Sequence, residues 1–79
     1  MARILYFGRL AEIAGGGETN VALPADVDDT EKLRGWLSET HPALRDRSVR
    51  IAVNQIVARE PAAIADGDEI AFLPPVSGG

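Results

Sequence analysis

The chain has no cysteine, one histidine and one lysine among its 79 residues. Without cysteine there is no disulfide framework, no thiolate metal site and no cysteine nucleophile. A lone His41 with no second imidazole suits a helix end rather than a metal site. Aromatic residues are only 5% of the chain, and a domain of this length buries only about 60% of the surface its unfolded chain exposes. A thin core must hold the fold by packing alone. Positive charge is scarce as well: 8 Lys and Arg against 12 Asp and Glu leave a net charge of −4, so nucleic acid, which needs a concentrated basic patch, is not expected as a partner. Arg45, Arg47 and Arg50 do lie close together, but Asp46 sits among them. They read as a solvated loop first and a partner-docking patch second. No long apolar run is present, and Arg3, Arg9 and Glu12 interrupt any leader-like pattern. A cytoplasmic protein with no membrane contact is the expectation. No repeat or low-complexity segment is visible.

The periodicities that are present define one small α+β domain. Ile4, Leu5, Tyr6 and Phe7 form a β-favouring run closed by Gly8. Leu10, Ile13 and Ala14 give Arg9 to Ala14 helical spacing, and Gly15-Gly16-Gly17 stops it. No Lys-Ser/Thr follows these glycines, so they form a turn and not a phosphate loop. Glu18 to Leu23 alternates as a second strand, closed by Pro24. Leu33, Trp36 and Leu37 are the core stripe of the main helix, with Asp28 or Asp29 as its N-cap and its end near His41, before Pro42. The acids between Asp26 and Glu31 complement the helix dipole and lack the spacing of a calcium loop. Val49 to Val53 is a third strand, Asn54-Gln55 a turn and Ile56-Val57 a short fourth strand. Asp66-Gly67-Asp68 turns the chain into the last strand, Glu69 to Leu73, with Ile70 and Phe72 on one face and Ala71 and Leu73 on the other. One helix covers one face of a mixed sheet. A last strand laid parallel to the first makes this a β-grasp domain over residues 1–74, followed by a flexible tail over 75–79.

That tail ends in Gly78-Gly79. A terminal glycine pair arises by chance about once in 200 chains, with Gly near 7% of residues. Glycine has no Cβ and passes through slots no other residue fits, while Pro74 and Pro75 stiffen the approach to it. The terminal carboxylate is therefore a chemical group in its own right.

The opening Ile4-Leu5-Tyr6-Phe7-Gly8-Arg9-Leu10-Ala11-Glu12, the central Ala52-Val53-Asn54-Gln55 and the run from Asp66 to Gly79 together resemble the MoaD family of ubiquitin-like sulfur carriers. The likeness runs end to end, and Asp66-Gly67-Asp68-Glu69 followed by Pro74-Pro75-Val76-Ser77-Gly78-Gly79 is its specific part. The resemblance implies a β-grasp fold and the role of a sulfur-donating small subunit in molybdopterin synthase, with no catalytic side chain of its own. It implies docking on a MoeB-type enzyme that uses ATP to adenylate Gly79 and convert it to a thiocarboxylate. It further implies insertion of the tail (Pro75, Val76, Ser77, Gly78, Gly79) into a MoaE-type large subunit, where sulfur passes to cyclic pyranopterin monophosphate; two small and two large subunits are implied. The chain itself is expected to bind no cofactor and no metal. Ala11 departs from the basic residue many members carry there.

The chemistry explains why such a tail is needed. A terminal carboxyl group, with a pKa near 3.3–3.7, is an anion at neutral pH and a poor electrophile, so sulfur can replace oxygen only after activation. Five extended residues reach roughly 16–18 Å, at about 3.3–3.6 Å each, enough to cross the rim of a partner's pocket. Phe7 and Leu73, on strands expected to be neighbours, are the candidate docking anchors; the other reading is that both complete the core. A carrier serving thiamin, thiolated tRNA or cysteine synthesis, a lysine-conjugating modifier, and a binding module with an incidental Gly-Gly are the alternatives.

Overall fold

A computed structural model describes residues 1–75; of the expected tail, only Pro75 falls within them. The elements run β1 (Ala2–Tyr6), α1 (Arg9–Ala14), β2 (Glu18–Val21), α2 (Thr30–Ser38), a 3-10 turn (Pro42–Arg45), β3 (Arg50–Val53), β4 (Ile56–Val57) and β5 (Glu69–Leu73). The strands form one mixed sheet in the order β2-β1-β5-β3-β4. β1 and β5, the first and last strands, lie parallel at its centre, with Ile4 opposite Ile70 and Tyr6 opposite Phe72. β3 pairs antiparallel with the other edge of β5, setting Ile51 against Phe72. This is the α+β β-grasp arrangement that the sequence predicts.

Alternation along each strand sorts the residues into two faces. Ala2, Ile4 and Tyr6 of β1, Ile70 and Phe72 of β5, and Ile51 of β3 are buried beneath α2, with Leu33, Leu44, Val49 and Ile64. Tyr6 stacks on Phe72 at 5.8 Å, and His41 meets the Tyr6 ring edge-on at 6.0 Å.

The caps explain the helix boundaries. At α2, the Asp29 carboxylate accepts from the Lys32 N–H at 2.8 Å, so Asp29 rather than Asp28 is the N-cap; Asp28 pairs instead with the Lys32 ammonium at 3.0 Å. α1 ends in a left-handed Gly15, and Gly16 N–H closes onto the Ala11 carbonyl at 2.9 Å, a helix-stop turn as expected.

Three sequence expectations need correction. α2 ends at Ser38 rather than near His41, the chain continuing through turns in which Thr40 and His41 both donate to the Leu37 carbonyl. β2 stops at Val21, although Leu23 still packs on the core. Trp36 is half-buried at the edge of the core, while the fully buried row of α2 is Thr30, Leu33, Arg34 and Ser38. Polar residues at i, i+4 and i+8 face inward because segments that follow α2 meet them. Thr30 exchanges backbone and hydroxyl hydrogen bonds with Ala62, and Arg34 reaches the carbonyls of Leu44 and Val49, both at 2.8 Å.

Candidate functional site

Among the described residues the side of the sheet away from α2 carries no helix, and there the alternate residues of the central strands come together. Leu5, Ala71, Ala52 and Val57 stand in register across β1, β5, β3 and β4. One step further along, Phe7 follows β1 and Leu73 ends β5, with the Phe7 N–H donating to the Phe72 carbonyl at 3.1 Å. These side chains, together with Gln55 and Glu69, line a depression of about 220 Å³. Phe7 is 47% exposed and Leu73 half-buried. Neither belongs to the buried core cluster, and the helix-free face brings the two together. Val57, 52% exposed, extends this apolar surface, while Ile56, 72% exposed, falls on the other face of β4 opposite Val53. Large side chains left in water at the centre of a sheet, ringed by charge, mark a surface able to bury a partner.

The charged ring is built by the same alternation. Arg3 and Glu18 pair at 3.0 Å beside the groove, Glu69 lines it, and Arg50 stands opposite Leu73 in the β3–β5 register. Of the clustered arginines, Arg47 is tied to the Glu31 carboxylate at 2.8 Å and Arg45 to the Ser38 hydroxyl at 3.2 Å. Arg50 is exposed on the groove side.

The route from groove to tail is fixed at Gly8. Its φ is +57°, and a Cβ there would come within 3.0 Å of Pro74 Cγ. Gly8 both supplies the positive-φ turn into α1 and leaves room for Pro74 to pass. The chain then continues past exposed Pro75. Val76, Ser77, Gly78 and Gly79, which the sequence singles out for the tail, lie outside the described residues.

On the helical side, Pro24, Val27 and Trp36 with Asp26, Lys32, Gly35 and Glu39 line a wider depression of about 530 Å³. No residue of β1 or β5 contributes to it. Among the described residues no group of three His, Cys, Asp or Glu side chains is placed to hold a metal ion, and no helix is long and apolar enough to cross a membrane. Asp66 and Asp68 serve their turn: Asp68 accepts from the Ala65 N–H at 2.9 Å and from the Asn54 amide at 3.2 Å, and Asp66 accepts from the Leu23 N–H at 3.4 Å.

Sequence reasoning missed Arg34 and Gln55. Arg34 fixes the loop that follows β4, and Gln55 lines the groove. The signal for the second was present in Asn54-Gln55, a two-residue link between short apolar runs.

Comparison with known proteins places this geometry. The ThiS family model matches residues 4–79. The molybdopterin synthase sulfur carrier subunit of Escherichia coli is 37% identical over 83 aligned positions, covering all of both chains. SAMP1 of Haloferax volcanii, a small archaeal modifier protein, is 32% identical and superimposes with a TM-score of 0.77 over 99% of this chain and 98% of its own. A structure described as the complex of subunits 1 and 2 of molybdopterin-converting factor from Helicobacter pylori contains a chain 26% identical, with a TM-score of 0.67 over 99% of this chain and 97% of that one. With Phe7 and Leu73 on one open sheet face and a Gly-Gly end following the central strand, the chain belongs to the ThiS family, alongside the molybdopterin synthase sulfur carrier subunits.

Proposed function

We propose that this chain is a sulfur carrier for molybdopterin assembly, the small subunit of a molybdopterin synthase, acting in the cytoplasm. The observation that carries the reading is the end-to-end match to sulfur carrier subunits in a fold whose central strand leads from an apolar docking groove to Gly78-Gly79.

In this reading, a MoeB-type enzyme joins the Gly79 carboxylate to the α-phosphate of ATP, releasing pyrophosphate. A sulfide equivalent then attacks the acyl carbon, AMP leaves, and the product is a C-terminal thiocarboxylate. The tail over 75–79 enters a MoaE-type large subunit, where the thiocarboxylate sulfur bonds to cyclic pyranopterin monophosphate. Water then attacks the acyl carbon, breaking its C–S bond, leaving sulfur on the pterin and restoring the Gly79 carboxylate. The groove supplies the binding energy through Phe7, Leu73, Leu5 and Val57, and acid–base groups come from the partners. Gly78 keeps the chain behind the reacting carbon slim enough for a closed channel, and Pro75 limits the entropy lost on insertion. No cofactor bound to the chain itself enters these steps.

The testing measurement is intact mass after incubation with the activating enzyme, ATP and sulfide. A shift matching one oxygen replaced by sulfur, absent when Gly79 is deleted, is expected. No shift with an activating enzyme competent on another carrier overturns the reading.

The likeness to SAMP1 supports a second reading, a modifier whose Gly79 forms an isopeptide bond with lysines of other proteins. Conjugates of raised mass that disappear with Gly79 would favour it.

A further inference from the structure

We propose that Gln55 is a specificity residue of the docking groove: its side-chain amide hydrogen-bonds the protein partner that receives the tail. The proposal rests on the docking reading given above and names a contact within it.

The observation is a residue in a costly conformation with no internal use. Ala52 pairs with Val57 and Val53 with Ile56, leaving Asn54 and Gln55 as a two-residue hairpin loop. Both have positive φ, 51° and 73°, the pattern of a type I′ turn, which favours Asn first and Gly second. Asn54 conforms and is fully employed. Its backbone N–H donates to the Glu69 carbonyl at 2.7 Å, its side-chain oxygen accepts from the Glu69 N–H at 3.0 Å, and its amide donates to Asp68 at 3.2 Å. Gln55 is different. A side chain with a Cβ is strained at this φ where glycine is not, and the Gln55 amide has no hydrogen bond among the described residues. Among the described residues no hydrogen bond of the Gln55 side chain compensates for the strain.

What Gln55 does have is a place on the groove, beside Val57, Ala71 and Leu73. Of the groove's lining side chains only Gln55 and Glu69 can form hydrogen bonds. An apolar surface fixes affinity but orients poorly; one amide, both donor and acceptor, gives register to whatever lies against it. The occupant is the partner that takes the tail, because the groove is continuous with the exit: Leu73 lies on it, and Pro74-Pro75 lead directly away.

Two variants separate contact from structure. Gln55→Gly relieves the strain, and Gln55→Glu keeps the backbone and shape but replaces the amide. Each is compared with the native chain in thermal unfolding and in calorimetric titration with the large molybdopterin synthase subunit of the same organism. Gln55→Gly is expected to melt about 4 °C higher yet bind at least ~10-fold more weakly. Gln55→Glu should melt as the native chain does and bind with the same loss. Native affinity in both variants overturns the role of Gln55 while the docking reading stands. A Gln55→Gly chain no more stable than the native one removes the strain argument, and the proposal with it. A native chain that does not bind the large subunit overturns the docking reading itself and this contact together.

Discussion

Arg34 grips Glu60 across the fold with both ends of its guanidinium, Nη2 at 2.6 Å and Nε at 3.3 Å from the two carboxylate oxygens. The arginine is 3% exposed and the glutamate 17%. The same guanidinium also donates to the carbonyls of Leu44, Asp46 and Val49. One side chain of α2 thereby closes the 3-10 turn, the entry to β3 and the loop after β4. Removing one partner of a buried, hydrogen-bonded pair typically costs 3–5 kcal/mol, a large part of the stability of a domain this small. Arg34→Ala should therefore leave little folded protein in urea titration, and Glu60→Gln, which retains a neutral acceptor, should cost distinctly less. Equal losses would mean that the carbonyl contacts, not the charge pair, hold Arg34.

Gly8→Ala tests the exit of the tail. A Cβ in this sparsely populated positive-φ conformation costs about 1–3 kcal/mol and meets Pro74 Cγ at 3.0 Å. The variant should remain folded, melt lower, and show amide shifts at Phe7, Phe72 and Leu73 in NMR spectra. A variant with native melting and unshifted Leu73 would show that Pro74 yields freely.

Stability should fall at both ends of the pH scale. Burial raises the Tyr6 phenol above its usual 10.0, so its contribution is complete below that value and is lost as pH rises through the folded-state value. Tyr6→Phe should flatten this alkaline loss, and the phenolate absorbance of the single tyrosine should appear later than in the unfolded chain. On the acid side, Ser48 lowers Asp46 and Lys32 lowers Asp28 from the usual 3.8, and Arg47 lowers Glu31 from 4.5, each by side-chain hydrogen bonding first. Their stabilisation is present above those values and lost as pH falls through the lowered ones. All three are on the surface, so melting in high salt should shrink the share that comes from Lys32 and Arg47.

Leu73→Asp tests the docking groove. The side chain ends β5 on the helix-free face, outside the core cluster, so the variant should fold. An unpaired carboxylate pressed into an apolar contact should weaken binding to the large subunit at least ~100-fold. Phe7→Ala should lose less, as truncation without added charge. Native affinity in the aspartate variant would take Leu73 out of the interface.

Much of the sheet is legible in the sequence because local alternation suffices: Ile4 with Tyr6 and Ile70 with Phe72 declare the buried face, which leaves Leu5, Phe7 and Leu73 for the other. The stripe of α2 misleads. Leu33 is core, but Trp36 and Leu37 are only half-buried, and the innermost row includes Thr30, Arg34 and Ser38. Ser38 donates to the Gly35 carbonyl within its own helix. Arg34 and Thr30 are buried because Glu60 and Ala62, 26 and 32 positions away, satisfy them, and no window of neighbouring residues contains that information. Whether Phe7 and Leu73 complete the core or stand at the surface likewise depends on the absence of a second covering layer, a property of the whole described fold.

The parallel pairing of β1 with β5 also governs how the protein comes into being. Its middle strand, residues 69–73, is made more than 60 positions after β1, so the sheet cannot close until those residues emerge and find it. The glycine end follows within six positions. A chain cut short before Glu69 lacks the central strand that joins β1 to β3 and cannot form this sheet. Folding thus waits on a segment only six positions short of Gly79.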